Sequence, residues 1–381
     1  MIIVDHSSGP NASNTENLIA PSESTRLPAR EHCEGDGMRP VINRTNRLLL
    51  RQLMFGQVDA RYEVLTRDPQ VQQHFRRSYL EPSGMNLDEF IKGERFFIHG
   101  QKGAGKTALL RYLQITRTDD HCLTKFTSFA TDISDGDRKE LIELSGIETF
   151  EQGDVEIDAS AVDVWIIFIL RQIAIMIDEN RLIFNINKNI SLFMELIKKF
   201  YDGHEDKGLL AWLAKTLKTG KYTIKARLVE AELKGAEGEK ERPYSVSSVV
   251  THALKLLEDL SWEGARGIYL FFDELNLSFA SRVTHKRDSI LIRDLILAVD
   301  RLNTYFIEKH KPVYILAAAR SEVLHSINTP THEINKILAD RGRELRWFSK
   351  NAGGDWPITR LFERKVQASE AVNNYKVSEN V

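Results

Sequence analysis

Apolar residues recur along this chain in two patterns. Short apolar and β-branched runs are typical of buried strands, and they occupy residues 95–98, 123–133, 267–275, 313–320 and 344–348. Segments with apolar residues three and four positions apart are typical of amphipathic helices, and they occupy residues 43–54, 61–75, 162–179, 245–260, 287–309 and 357–371. Because these segments interleave, we predict an α/β fold: a central, mainly parallel sheet flanked by helices, with further helices added.

Composition divides the chain into segments. Residues 1–42 are rich in Ser, Asn, Pro and Glu and lack apolar periodicity, so we predict a disordered N-terminal tail. Residues 43–371 are predicted to form one domain. Within this domain, residues 185–244 are predicted to be a helical and charged surface insertion, because they end in a charged, glycine-containing run. Residues 372–381 are predicted to be a polar tail.

A glycine-rich loop lies between the first predicted strand and a helical segment. It has the form Gly-x-x-x-x-Gly-Lys-Thr, from Gly100 to Thr107. Glycines allow the backbone to turn tightly and to bring N–H groups close to a phosphate chain. The helix that follows directs its N-terminal N–H groups and positive dipole end at the same anion. A preceding strand and a following helix are the context that this Walker A pattern requires, so we predict a nucleotide-binding P-loop.

The predicted cofactors are ATP and Mg²⁺. Lys106 is expected to place its ammonium between the β- and γ-phosphates and so to act in catalysis, and the Thr107 hydroxyl is expected to ligate Mg²⁺. The residues expected to contact the nucleotide are those of the loop and the start of the helix: Gly100, Gln101, Lys102, Gly103, Ala104, Gly105, Lys106, Thr107 and Ala108.

Two later predicted strands end in charged residues. The run 267–275 closes on Asp273 and Glu274, and the carboxyl ends of strands are where open α/β sheets bind ligands. We predict that Asp273 holds Mg²⁺, directly or through water, and that Glu274 orients and polarises the attacking water. The run 313–320 ends at Arg320, whose guanidinium is suited to the γ-phosphate. A salt bridge at the strand end is the alternative role for this arginine.

Charge and composition exclude several classes of function. A formal net charge of −2 argues against a chain that coats nucleic acid over its whole surface, although it permits a basic patch. Cys33 and Cys122 have no partner at metal-ligand spacing, which indicates a reducing cytosol. The apolar run 164–177 is interrupted by Arg171 and is too short to span a bilayer. The N-terminus lacks the pattern of a signal peptide, so we expect a soluble, cytoplasmic protein with no membrane partner.

Several segments between residues 48 and 370 carry a family resemblance. They are residues 55–60, the loop with its flanks at 97–108, Trp165 in an apolar helix, residues 272–274, residues 319–324, and the pair Arg346-Trp347. Together they resemble the prokaryotic P-loop ATPases related to the STAND and AAA classes, many of which are encoded in anti-phage defence loci.

This resemblance implies a mechanism and partners. It implies a sensor strand inserted beside the Walker A strand, with Arg320 as the sensor, and a switch in which ATP binding drives self-association and hydrolysis resets it. Alanines precede Arg320 where the family commonly has a polar sensor, so we expect slow hydrolysis. No winged-helix, sensing-repeat or effector domain is recognisable, so we expect a separately encoded effector protein in addition to homo-oligomer formation.

Two alternatives stay open. The first is a nucleic-acid-dependent motor or loader, which would use a basic cluster formed by Arg341, Arg343, Arg346, Arg360, Arg364 and Lys365. The second is a scaffold that binds ATP without turning it over. Arg341 and Arg343 are also candidates for an arginine finger supplied to a neighbouring subunit. A GTPase is disfavoured because no Asn/Thr-Lys-x-Asp guanine motif follows the later strands.

Overall fold

The sheet has five parallel strands. The computed structural model describes residues 50–57, 59–82, 84–144, 161–199, 246–277, 281–327, 334–347 and 356–379. The strands are β1 (Phe97–Gly100), β2 (Leu123–Ser128), β3 (Ile268–Leu275), β4 (Val313–Arg320) and β5 (Gly342–Glu344). Their order across the sheet is β2-β3-β4-β1-β5, and every neighbouring pair is parallel. The prediction of an α/β fold with a parallel sheet flanked by helices is confirmed. The predicted tail 1–42 and residues 200–244 of the predicted insertion lie outside the described residues.

Helices precede, connect and follow the strands. A 3₁₀ turn spans Leu50–Gln52. The α-helices of the described residues are α1 (Ala60–Leu65), α2 (Pro69–Ser78), α3 (Leu87–Ile91), α4 (Lys106–Asp119), α5 (Asp135–Leu144), α6 (Val162–Glu179), α7 (Lys188–Lys199), α8 (Val246–Leu257), α9 (Arg282–Glu308), α10 (Ser321–Ile327), α11 (Ile334–Arg341) and α12 (Pro357–Glu379). None of them is long and apolar enough to cross a membrane.

Strand β4 is inserted between β1 and β3, although it follows both in the chain. The register places Gly100 of β1 opposite Arg320 of β4, and Ser128 of β2 opposite Asp273 of β3. Because all five strands are parallel, their carboxyl ends lie at one edge of the sheet. This edge therefore receives the ends of β1, β3 and β4 side by side.

Alternate residues of the central strands enter two hydrophobic cores, one on each face of the sheet. In β3, Leu270 and Phe272 belong to one core and Phe271 belongs to the other. Helices α6, α8 and α9 contribute to the first core, and α4 contributes to the second. Burial on both faces explains why β3 and β4 are nearly continuous apolar runs without polar alternation.

Helix α6 is buried on most of its surface, as its apolar sequence predicts. Its residue Trp165 is fully buried and donates its indole N–H to the backbone carbonyl of Leu291 in α9, at 2.9 Å. A buried tryptophan needs such a partner for its single polar group. This contact fixes α6 and α9 to each other on the same face of the sheet.

Some predicted boundaries are wrong, for local reasons. The helix predicted at 61–75 is divided into α1 and α2, because Pro69 cannot continue a helix and instead begins one, with Asp68 as its N-cap. The strand predicted at 123–133 ends at Ser128, whose N–H donates to the Asp132 carboxylate at 2.8 Å in a turn. The fifth strand lies at Gly342–Glu344, before the predicted 344–348. Helix α12 continues to Glu379, beyond the predicted end at 371, because no Gly or Pro interrupts it.

The side chain of Asn303 in α9 completes the hydrogen bonding of β4. Ala317 donates its backbone N–H to the Phe96 carbonyl at 2.9 Å, on the side of β4 that faces β1. The backbone N–H and carbonyl of Ile315, two residues earlier, therefore face the same side. Strand β1 begins at Phe97 and does not reach Ile315. The Asn303 amide accepts the Ile315 N–H at 2.9 Å and donates to the Ile315 carbonyl at 2.8 Å. Asn303 thus replaces the missing strand neighbour in a buried position.

We predict that Asn303→Ala lowers the free energy of unfolding by roughly 2–4 kcal/mol, because it leaves two buried backbone groups of Ile315 without partners. Urea denaturation followed by circular dichroism measures this loss. Asn189→Ala is the matched control, since its amide bonds to Asp259 at an exposed position and its removal is expected to change stability by about 0.5 kcal/mol or less. Equal losses for the two variants would contradict the bridging role of Asn303.

Candidate functional site

The glycine loop, residues Gly100–Thr107, connects β1 to α4 at the carboxyl edge of the sheet. Gly103 and Gly105 have φ angles of 81° and 93°, in the left-handed region that favours glycine. Ala104 donates its N–H to the Gln101 carbonyl at 3.2 Å, which closes a tight turn within the loop. The loop therefore needs glycine at residue 103, a variable position of the pattern, and at residue 105, one of its two fixed glycines.

The N-terminus of α4 faces this loop without a capping side chain. The helix begins at Lys106, its N-cap is Gly105, and its first turn contains no acidic residue. The first N–H groups of a helix lack intrahelical partners, and the helix dipole gives them a positive potential. This end of α4 is consequently suited to bind an anion.

The Lys106 side chain folds back over the loop. Its Nζ donates to the carbonyl oxygens of Gly100 at 2.9 Å and Gln101 at 2.8 Å. Burial lowers the pKa of Lys106; the nearby carboxylate of Asp273 opposes this shift and the guanidinium of Arg320 adds to it. A half-buried ammonium that bonds only to carbonyl oxygens would gain from a directly bound anion.

Asp273 and Thr107 lie in contact beside the loop. The Thr107 hydroxyl adjoins the Asp273 carboxylate, and Asp273 is only 2% exposed. Burial raises the pKa of Asp273, whereas the neighbouring Thr107 hydroxyl acts in the opposite direction. A buried carboxylate of this kind is stabilised when a cation binds to it.

The described residues contain no group of three or more His, Cys, Asp or Glu side chains placed to hold a metal ion alone. Mg²⁺ rarely needs such a group, because it keeps several waters and binds through one or two protein oxygens together with phosphate oxygens. The adjacent oxygens of Thr107 and Asp273 fit this mode of binding, so the residues present suit a Mg²⁺–nucleotide complex.

Glu274 lies at an irregularity of the sheet. The register between β3 and β4 shifts between Phe272 and Leu275, and Glu274 has a φ angle of 56°. A non-glycine residue in this conformation is strained and needs support from its surroundings. Ser128 supplies part of that support, because its hydroxyl donates a hydrogen bond to the Glu274 carboxylate. This bulge interrupts the regular alternation of side chains along β3, and it directs the Glu274 side chain toward the end of β2.

Arg61 also approaches Glu274. Its Nη1 lies 3.9 Å from the Glu274 Oε2, and its Nη2 lies 3.4 Å from the Asp59 Oδ2. Arg61 belongs to α1, which precedes the sheet in the chain and packs against α4. Neither Arg61 nor Ser128 was predicted as a site residue. Ser128 was missed because the predicted strand 123–133 extends beyond it, and no sequence signal identifies Arg61.

Trp347 supports the glycine loop after β5. Its indole N–H donates to the Ala104 carbonyl at 2.9 Å. Leu345 donates its N–H to the His99 carbonyl at 2.7 Å, so the chain after β5 runs along the end of β1. The sequence indicated Trp347 only within the family resemblance, and its contact with the loop is a further feature that pattern reasoning missed.

The structure brings together most of the predicted side chains. Lys106, Thr107, Asp273, Glu274 and Arg320 all lie at the carboxyl edge formed by β1, β3 and β4. The other loop residues surround this cluster, and the side chains of Gln101 and Lys102 are exposed. Arg320 is at the end of β4, directly opposite Gly100.

The two arginine-finger candidates lie elsewhere in their own chain. Arg341 precedes β5, at the amino end of that strand, and its guanidinium lies over the Phe96 ring at 5.4 Å. Arg343 makes two hydrogen bonds to the Glu89 carboxylate, at 2.7 and 2.6 Å. Neither residue therefore joins the cluster at the carboxyl edge of this chain.

Several members of the basic cluster are neutralised within the chain. Besides the pair Arg343–Glu89, Arg346 pairs with Glu344, and the Lys365 Nζ lies 4.0 Å from the Glu63 Oε1. Side chains engaged with carboxylates offer less net charge to a phosphate backbone. The arrangement favours a structural role for these pairs.

Two comparisons with known proteins found no match. No protein-family model matches the chain, and no curated protein matches it. The site is therefore interpreted from its geometry, its electrostatics and the motifs of the sequence.

Proposed function

We propose that this chain is a P-loop ATPase that binds ATP with Mg²⁺ and hydrolyses it slowly, as a nucleotide-dependent oligomerisation switch. The observation that carries the proposal is the convergence of Lys106, Thr107, Asp273, Glu274 and Arg320 at one edge of the sheet, beside the uncapped start of α4. These are the charges and hydrogen-bond donors that a nucleoside triphosphate requires.

Binding of the triphosphate is assigned to the glycine loop and α4. The N–H groups of the loop and of the first turn of α4 would cradle the phosphates. Lys106 would exchange the carbonyls of Gly100 and Gln101 for phosphate oxygens. Thr107 and Asp273 would hold Mg²⁺, which supplies neutralisation of phosphate charge.

Hydrolysis is assigned to Glu274, which would orient the attacking water and polarise it. The Glu274 carboxylate accepts a hydrogen bond from Ser128 and lies near Arg61. The Ser128 hydroxyl and the Arg61 guanidinium both approach Glu274 Oε2, so they compete with the water for one of its two carboxylate oxygens. This competition and the alanines before Arg320 support slow turnover.

The remaining parts of the proposal come from the family resemblance. Nucleotide-driven self-association, action with a separately encoded effector, and a role in an anti-phage defence or regulatory complex are all proposed on that basis. ATP binding would favour association with copies of the chain or with an effector, and hydrolysis would reverse that association.

We predict that Lys106→Ala abolishes nucleotide binding, because it removes the ammonium nearest the phosphates. Glu274→Gln is expected to keep ATP affinity and to lower kcat by about 100-fold or more, because an amide cannot accept the water proton. Binding of a fluorescent ATP analogue and release of inorganic phosphate measure the two effects separately. The exposed Lys92→Ala is the control, and it is expected to behave as the parent chain. Full binding by Lys106→Ala would refute the assignment of the loop.

We also predict that a non-hydrolysable ATP analogue increases the mass of the particle, since the proposed switch assembles in the triphosphate state. Glu274→Gln is expected to remain assembled under ATP, and Lys106→Ala is expected to stay unassembled under every nucleotide. Mass photometry without nucleotide, with ADP and with the analogue makes the comparison. A constant mass in all conditions would contradict the switch, while leaving the ATPase assignment to the binding and turnover measurements.

A further inference from the structure

We propose that Arg61 is a further catalytic residue, which contacts the γ-phosphate oxygens of ATP bound in the same chain. This inference rests on the proposed function and extends it, because it assigns to α1 the arginine that stabilises charge in the transition state. The sequence offered Arg341 and Arg343 as candidates for an arginine finger supplied to a neighbouring subunit, whereas Arg61 lies beside Glu274 of its own chain.

Arg61 is placed beside the residue that would activate water. Its Nη1 is 3.9 Å from the Glu274 Oε2, so its guanidinium lies close to the position where the water and the terminal phosphate meet. The backbone position of Arg61 is defined, since α1 packs against α4 and the Arg61 backbone N–H donates to the Asp59 side chain at 2.9 Å. Arg61 thus belongs to a helix that packs directly against α4, whose N-terminus is proposed to bind the phosphates.

The contacts of Arg61 are loose enough to exchange. Its two ion pairs, to Asp59 at 3.4 Å and to Glu274 at 3.9 Å, are longer than a charge-assisted hydrogen bond. Its side chain is 23% exposed. Such distant pairs contribute little stability, so a phosphate oxygen that allows direct bonds would replace them.

The other arginines considered for this role are engaged in other contacts or placed elsewhere. Arg111 is almost completely buried, and its guanidinium lies 3.4 Å from the centre of the Phe126 ring. Arg343 is engaged twice by Glu89. Arg320 is assigned to the opposite side of the site, at the end of β4 beside the glycine loop. Arg61 is the arginine that adjoins Glu274 within the part of the chain that the structure describes.

The chemistry of the step defines what Arg61 would do. The water oxygen forms a bond to the γ-phosphorus, and the water proton passes to Glu274. The bond from that phosphorus to the bridging oxygen breaks, and its electron pair remains on ADP. Charge is spread over the γ-phosphate oxygens during this transfer, and a planar guanidinium can bond to two of them.

The test compares Arg61→Ala and Arg61→Gln with Arg67→Ala, an exposed arginine that follows α1. Three quantities are measured: kcat for phosphate release, affinity for ADP, and affinity for ADP with aluminium fluoride, which mimics the transferring phosphoryl group. We expect both Arg61 variants to lose about 100-fold in kcat and a similar factor in affinity for the fluoride complex. ADP affinity and the melting temperature are expected to stay near those of the parent chain.

Other outcomes would overturn the inference. A kcat equal to that of Arg67→Ala would show that Arg61 takes no part in the reaction, and an increased kcat would show that it restrains Glu274. Arg61→Gln retains most of the side-chain volume, so it decides the question if Arg61→Ala folds poorly. If the parent chain neither binds nor hydrolyses ATP, the proposed function fails as well. If the parent chain is active, Lys106→Ala is inactive and the Arg61 variants turn over normally, only the inference about Arg61 fails.

Discussion

The insertion of β4 between β1 and β3 is the constraint on which the candidate site depends. In a parallel sheet, the polar residues that follow neighbouring strands meet at one edge. With this strand order the glycine loop, Asp273 and Arg320 become neighbours, although more than 200 residues separate the first from the last in the chain. Asn303 supports this arrangement, because it satisfies the part of β4 that β1 does not reach.

Two side chains of opposite charge, Asp273 and Lys106, are largely withdrawn from solvent at this edge. Burial raises the pKa of Asp273 and lowers the pKa of Lys106, so burial penalises the ionised form of each residue. A Mg²⁺–nucleotide complex carries the opposite charges and would stabilise both ionised forms together. The same edge holds the strained backbone of Glu274, which Ser128 supports. Strain and buried charge at one place are typical of functional sites.

The sequence predicts the parts of this structure that depend on local patterns. The strands at 267–275 and 313–320 and the helix at 162–179 are close to their observed bounds, because continuous apolar runs have few alternative structures. Those runs also predict which charged residues reach the edge of the sheet. The fifth strand was misplaced, since three residues that include Gly342 carry almost no apolar signal.

Contacts between distant segments could not be predicted in the same way. Ser128 and Trp347 reach the site through the sheet register and the path of the chain after β5. Arg61 reaches it through the packing of a short helix, and the bulge at Glu274 follows from a register shift that leaves no mark in an apolar run. Patterns of residue type identify what each segment is. They do not specify which side chains of separate segments meet.

Hydrogen–deuterium exchange with and without a Mg²⁺ complex of a non-hydrolysable ATP analogue tests the central claim most directly. The account predicts slower exchange in peptides that cover residues 100–110, because backbone N–H groups of the loop and of α4 would bond to phosphates. It also predicts slower exchange around residues 272–276, beside the Mg²⁺ ligand. Protection confined to other segments, or no protection while the analogue is bound, would contradict the assignment of this edge as the nucleotide site.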